Sequence, residues 1–156
     1  MPGDEQIVEL LNEVLTAELT AVNQYFLDAK TLLHWGYERL GRKFHEESIS
    51  EMKDADALIA RILYLDGHPN LQRLSLLRTG EDPKEKLAMG LLLEREAIER
   101  LNRGIEQCVE RGDHGTRELL AEILQGEEEH ADWLETQLTL IEQLGDVQYL
   151  AQQIRD

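Results

Sequence analysis

Along the first part of the chain apolar side chains return every three or four residues: Ile7, Leu11, Val14, Val22, Tyr25, Ala29 and Leu32. That spacing lines one face of a helix, with Asp4 placed to cap its start and Gly36 to stop it. The gap in the row, between Val14 and Val22, is filled by Glu18. A second helix carries Leu40, Phe44, Ala55, Leu58, Ile62 and Leu65 in phase, with Glu51 and Asp54 in the middle of the same face. Between Gly67 and Gly80 the periodicity fails and Pro69, Asn70 and Thr79 appear, which predicts a loop too long for a tight helical hairpin. Asp82-Pro83-Lys84-Glu85 then has the form of a helix start, with a cap, a proline in the first turn and a glutamate three residues on. The row that follows is Leu87, Leu91, Ile98, Leu101, Ile105 and Cys108, interrupted by Glu94 and closed by Gly112. From an Asp113 cap a fourth helix presents Leu120, Ile123, Leu134, Leu138 and Ile141, with Glu127 and His130 on that face. Gly145-Asp146 separates it from a short amphipathic tail, Val147 to Ile154.

No segment alternates in the manner of a strand. The expected fold is therefore all-α: a four-helix bundle with short connections within each pair, a long crossover between helices two and three, and a short C-terminal fifth helix. That is the ferritin-like connectivity, formed as a single domain over residues 1–156. An internal two-fold supports it. Glu18 and Glu51 stand 33 residues apart, as do Glu94 and Glu127, so the two halves place their acids at matching depth.

Composition sharpens this picture at two points. Against 32 Asp and Glu stand 16 Lys and Arg, and a net charge of -16 argues against a nucleic-acid partner and for cations as guests. Cys108 is the lone cysteine, so no intramolecular disulfide can form, and the chain reads as cytoplasmic. With no run of about 18 apolar residues and no basic start leading into an apolar stretch, neither a membrane span nor a secretory leader is expected.

The chemistry lies in the acids at core positions. Each helix offers one near its middle, Glu18, Glu51, Glu94 and Glu127, and Asp54 and His130 follow one turn beyond the second and fourth. Unpaired in a low-dielectric interior, such carboxylates would repel one another and protonate, at a cost of several kcal/mol each. Two divalent cations would cancel four of these charges. Carboxylate oxygen with one imidazole suits iron or manganese, and the scarcity of thiolate argues against a closed zinc site. The alternative is a solvated set of acids, since about one residue in five is acidic. Four in phase at equal intervals favour the metal.

Glu18, Glu51, Glu94 and Glu-x-x-His at Glu127 and His130 occur together with Asn23-Gln24-Tyr25-Phe26, Glu47-Ser48-Ile49, Glu51-Met52-Lys53, Pro69-Asn70-Leu71-Gln72 and Asp132-Trp133-Leu134-Glu135. From about Gly3 to the C-terminus the chain resembles bacterioferritin, and the ligand arrangement is the established one of ferritin-like di-iron proteins. The resemblance implies a homo-oligomeric shell of 24 subunits built from two-fold dimers. Such a shell oxidises Fe(II) with dioxygen or peroxide at an intrasubunit di-iron centre and stores the ferric mineral. In that scheme Glu51 and Glu127 bridge the two irons, Glu18 and residue 54 complete one, Glu94 and His130 complete the other, and Tyr25 lies beside the site. Met52, about 100 degrees round the helix from the core stripe, would on residue type alone be an interface filler. The resemblance makes it the axial ligand of haem b, paired with the same residue of a second subunit. Leu19, Val22, Asn23, Phe26, Ile49, Lys53 and Leu71 are compatible with the pocket, and a ferredoxin-like protein is the implied electron donor for iron release.

Asp54 departs from the family, which has a second histidine there. If the replaced ligand atom is the near ring nitrogen, an aspartate oxygen sits as many bonds from the backbone and can still reach the metal. The added negative charge favours the ferric state, and altered turnover is expected rather than a missing site. The same residue motivates a second reading: a catalytically weakened, haem-binding structural subunit of a shell mixed with a second subunit type. His45 replaces an aromatic hydroxyl that is common in the family, and Glu46 and Ser50 stand where some relatives have an auxiliary inner-surface iron site, so no such site is assigned. His34, His68 and His114 are expected at the surface without a role, and Trp35 and Trp133 at interfaces or helix ends. A di-iron peroxidase of the rubrerythrin type is disfavoured, since no Cys-x-x-Cys pair exists for its second iron site.

Overall fold

A computed structural model describes residues 2–155. Helix α1 spans Glu5–His34, α2 Glu38–Tyr64, α3 Pro83–Arg111, α4 His114–Leu144 and α5 Asp146–Ala151, and the described residues contain no strand. The ends obey local chemistry. Asp4 accepts a hydrogen bond from the Gln6 N–H (2.8 Å), Asp82 from that of Glu85 (2.8 Å) and Asp113 from that of Thr116 (3.0 Å). The Glu85 carboxylate reaches back to accept from the Glu81 N–H at 2.7 Å. Gly112 ends α3 with φ of 71°, a left-handed backbone that suits glycine. Among the described residues no helix is long and apolar enough to cross a membrane.

Helix α1 packs chiefly on α2 and α3 on α4, and the bundle buries two apolar clusters. One gathers Ile7, Leu11, Leu58, Ile62, Leu101 and Leu120. The other gathers Tyr25, Leu32, Phe44, Leu87, Leu134 and Tyr149. Each long helix passes from one cluster to the other, and at each passage stands one buried acid: Glu18, Glu51, Glu94 or Glu127. The equal 33-residue intervals thus become a polar layer at one level of the bundle.

The crossover between α2 and α3 is fastened along α1 by a row of polar side chains four residues apart. Asn12 Nδ2 donates to the His68 carbonyl (3.1 Å), and its Oδ1 accepts from the Asn70 N–H (2.8 Å). The Thr16 hydroxyl accepts from Arg73 Nε (3.2 Å), that of Thr20 from the Ser75 N–H (3.0 Å), and Gln24 Oε1 from the Arg78 N–H (3.0 Å). A long loop therefore finds partners for its backbone without secondary structure of its own. The C-terminal tail is shorter than its pattern predicts. Helix α5 ends at Ala151, its buried residue is Tyr149, whose hydroxyl donates to Gln137 Oε1 at 2.7 Å, and Ile154 is exposed. Amphipathic spacing alone cannot tell a buried stripe from one left open on a single chain.

Candidate metal centre

The four in-phase glutamates reach the bundle interior because each sits where its helix would otherwise present an apolar residue. Glu18, Glu51, Glu94 and Glu127 are 2%, 3%, 1% and 2% exposed, which removes the solvated alternative. Ligand oxygens of Glu18, Glu51, Asp54 and Glu127 all lie within 4.8 Å of one another. Glu94 joins from the other side, where its Oε1 lies 3.0 Å from His130 Nδ1. Asp54 is half-buried at the edge of the group. The six residues singled out from the sequence thus meet in one place.

Tyr25 completes the lining. It is fully buried, its hydroxyl donates to Glu94 Oε1 in a short hydrogen bond, and its ring meets that of His130 edge-on with centroids 5.2 Å apart. Two further residues were not foreseen as neighbours. Glu47 Oε2 lies 3.5 Å from His130 Nδ1, and Glu47, Glu51 and His130 form a second group of donor atoms within 4.8 Å. Glu47 also pairs with Lys43 at 2.9 Å. Trp133, expected at an interface or a helix end, is not at a helix end: it lies in mid-helix and stacks near His130, at 6.2 Å and 23° between planes, with Lys43 over its ring. The signal for Glu47 was its place one turn before Glu51. Its part exposure hid it among other surface acids.

The electrostatics are those of an uncompensated cluster. Burial pushes the Glu18 carboxyl well above the carboxylate range, and the charge of Glu127 adds to it. Burial likewise raises Glu51, reinforced by Glu18, and Glu127, reinforced by Glu51. Burial acts on Glu94 as well, but hydrogen bonds involving Glu127, His130 and Tyr25 outweigh it and hold that group below its ordinary value. Asp54 is raised to about 6, by burial first and then by Glu94 and Glu47. One oxygen of each glutamate, Glu18 Oε2, Glu51 Oε2, Glu94 Oε2 and Glu127 Oε1, is buried with no hydrogen-bond partner. Buried carboxylate oxygens are rarely left so, and four of them from four helices fit a cationic guest. A cavity of about 30 Å³ beneath the crossover is lined by all four glutamates, with Arg78 and Glu96 among its outer residues.

Met52 is not part of this group. It is 50% exposed on α2; Phe26, Ile49 and Leu71 are exposed as well. His34, His45, His68 and His114 are exposed.

Among known proteins, the Ferritin family, described as a ferritin-like domain, matches residues 8–144. The chain is 47% identical over 152 residues to a bacterioferritin of Mycobacterium leprae, covering 97% of this chain and 96% of that protein. It is 48% identical over 151 residues to a bacterioferritin of Streptomyces coelicolor, covering 97% and 90%. To a bacterioferritin of Rhodobacter capsulatus it is 43% identical over 145 residues, covering 93% and 90%.

Proposed function

The chain belongs to the bacterioferritin family of ferritin-like proteins, and from that premise we propose that it is an iron-storage ferroxidase. It takes two Fe(II) ions as substrate between the four helices, oxidises them with dioxygen or peroxide, and passes the ferric product to a mineral held inside a 24-subunit shell. The observation that carries this reading is the set of four unpartnered carboxylate oxygens, one from each long helix, in a buried layer. Glu51 belongs to both groups of donor atoms and Glu127 interacts with both Glu51 and Glu94, so these two are suited to span both ions. Glu18 and Asp54 serve one ion, Glu94 and His130 the other. The Tyr25 hydroxyl, donating to Glu94, fixes that carboxylate with its second oxygen free. Anaerobic Fe(II) titration followed by admission of air tests the proposal. Two irons bound per subunit and then rapidly oxidised are expected, and saturation well below two would end it.

The haem is a separate element of the proposal. A half-exposed thioether on α2, with Phe26 of α1 and Leu71 of the crossover also exposed, fits a soft axial ligand at a surface that a second subunit would cover. Bound there, haem would supply an electron path for releasing stored iron, with a ferredoxin-like protein as donor. The purified protein should show a Soret band that Met52→His shifts and Met52→Leu abolishes. Haem retained unchanged in Met52→Leu would remove Met52 from this role.

Asp54 favours a second reading, a haem-carrying subunit of a mixed shell with a weakened centre, in the cytoplasm like the first. Haem uptake without saturable, rapid oxidation is the result that would select it.

A further inference from the structure

The two sides of the centre present different donors. Glu18, Glu51, Asp54 and Glu127 form a set of oxygens alone, all within 4.8 Å of one another. Donors on opposite sides of one hard cation stand about 4–5 Å apart, so a single ion can be reached by all four with little movement. Three of these residues, Glu18, Glu51 and Glu127, are buried with an oxygen that has no partner. The opposite side holds the nitrogen donor, His130 Nδ1, next to Glu94 and Glu47. Were residue 54 a histidine, each side would offer one imidazole and the halves would match.

We propose that Asp54 makes the centre chemically asymmetric, so that the Glu18–Asp54 side selects hard, oxygen-seeking cations such as Mn(II) or Fe(III), while the Glu94–His130 side retains the ordinary preference for borderline ions such as Fe(II) or Zn(II). This rests on the reading of the site as a metal centre. The physical reason is donor hardness. Imidazole raises affinity for borderline ions more than carboxylate does, while carboxylate sets suit manganese, magnesium and calcium. Zinc binds more tightly than manganese at most mixed sites, so selection takes the form of a ratio between the two sides, not outright exclusion.

Crystals of the assembled protein equilibrated with equal concentrations of Mn(II) and Zn(II), with anomalous diffraction recorded at both absorption edges, read that ratio directly. The expected result is a Mn:Zn occupancy ratio about tenfold higher beside Asp54 than beside His130, the size of change that ligand-shell substitutions typically produce. In Asp54→His the two ratios should converge. In Asp54→Asn, which keeps the shape and removes the charge, the manganese share beside residue 54 should fall. Equal ratios in the parent protein overturn the asymmetry while leaving the metal centre intact. Metal beside His130 only would also overturn it, in favour of the weakened-centre reading. Metal on neither side would overturn this inference together with the function on which it rests.

Discussion

Stripped of metal, Glu127→Gln should be more stable than the parent chain, and in the presence of Fe(II) it should lose rapid oxidation by about 100-fold or more. Glu127 is buried between Glu51 and Glu94, and both burial and those neighbours oppose its charge. A glutamine keeps the shape, removes one acid from the cluster and brings an amide that can donate to the ionised Glu94. Relief of this kind is worth about 1–3 kcal/mol, and each kcal/mol moves the melting temperature by roughly 2–4 °C for a chain of this size. The pH dependence should identify the cause. Glu18, Glu51 and Glu127 have folded values raised above 4.5, so the folded state holds protons that the unfolded chain has released. Their contribution is fully present below about pH 4.5 and is lost as pH rises through the folded values. Glu94, held low, acts in the opposite sense at more acid pH. The metal-free parent should therefore melt lower at pH 7 than at pH 5, and Glu127→Gln should flatten that difference. Bound metal, which takes the carboxylates ionised, should reverse it. Scanning calorimetry of both chains at the two pH values, with and without Mn(II), measures all of this. A metal-free parent equally stable at both, or a Glu127→Gln chain that melts lower, would mean the acids are compensated by something other than a cation.

The conflict between charge and burial explains why the buried acid cluster was legible in the sequence. An acid at an apolar register position contradicts the burial pattern around it, and four such contradictions at equal intervals point inward together. The caps at Asp4, Asp82 and Asp113 were legible for a similar reason, since their chemistry is local. What escaped was polar material whose partner is distant in sequence. Asn12, Thr16, Thr20 and Gln24 lie off the apolar stripe of α1 and drew no assignment, yet they hold the crossover. Their spacing of four beside an unusually long loop was the available signal. Glu47, and the contact of Trp133 with His130, were missed because a helix pattern ranks faces by hydropathy, and both residues lie at the margin between faces. The end of α5 could not be read because its stripe has little of this chain to pack against.

Lys86→Met is expected to cost about 3–5 kcal/mol of folding stability at neutral pH while leaving metal uptake by the folded protein unchanged. Asp28 continues the polar row of α1 by one more interval of four, and Lys86 reaches it from α3. The Lys86 side chain is 3% exposed and that of Asp28 0%. Lys86 Nζ donates to Asp28 Oδ1 at 3.0 Å and to the Gly80 carbonyl at 2.9 Å, and it lies 5.3 Å from the Trp35 ring centroid. Even with this partner, burial holds the Asp28 carboxyl up at about 6, and its Oδ2 has no hydrogen bond. Removing the ammonium leaves a buried carboxylate with nothing to balance it, so the damage should follow the charge of Asp28 rather than the volume of Lys86. Two comparisons separate these causes in denaturant titrations. Because Asp28 has a raised folded value, its favourable term is present below about pH 3.8 and is lost as pH climbs through about 6. The Lys86→Met deficit should therefore shrink on going from pH 7.5 to pH 5. In the double variant Lys86→Met, Asp28→Leu most of the stability should return, since an apolar pair of similar volume does about as well as a buried ion pair. A double variant as unstable as Lys86→Met would show instead that the ammonium's bond to the Gly80 carbonyl, which anchors the end of the crossover, carries the stability at this junction.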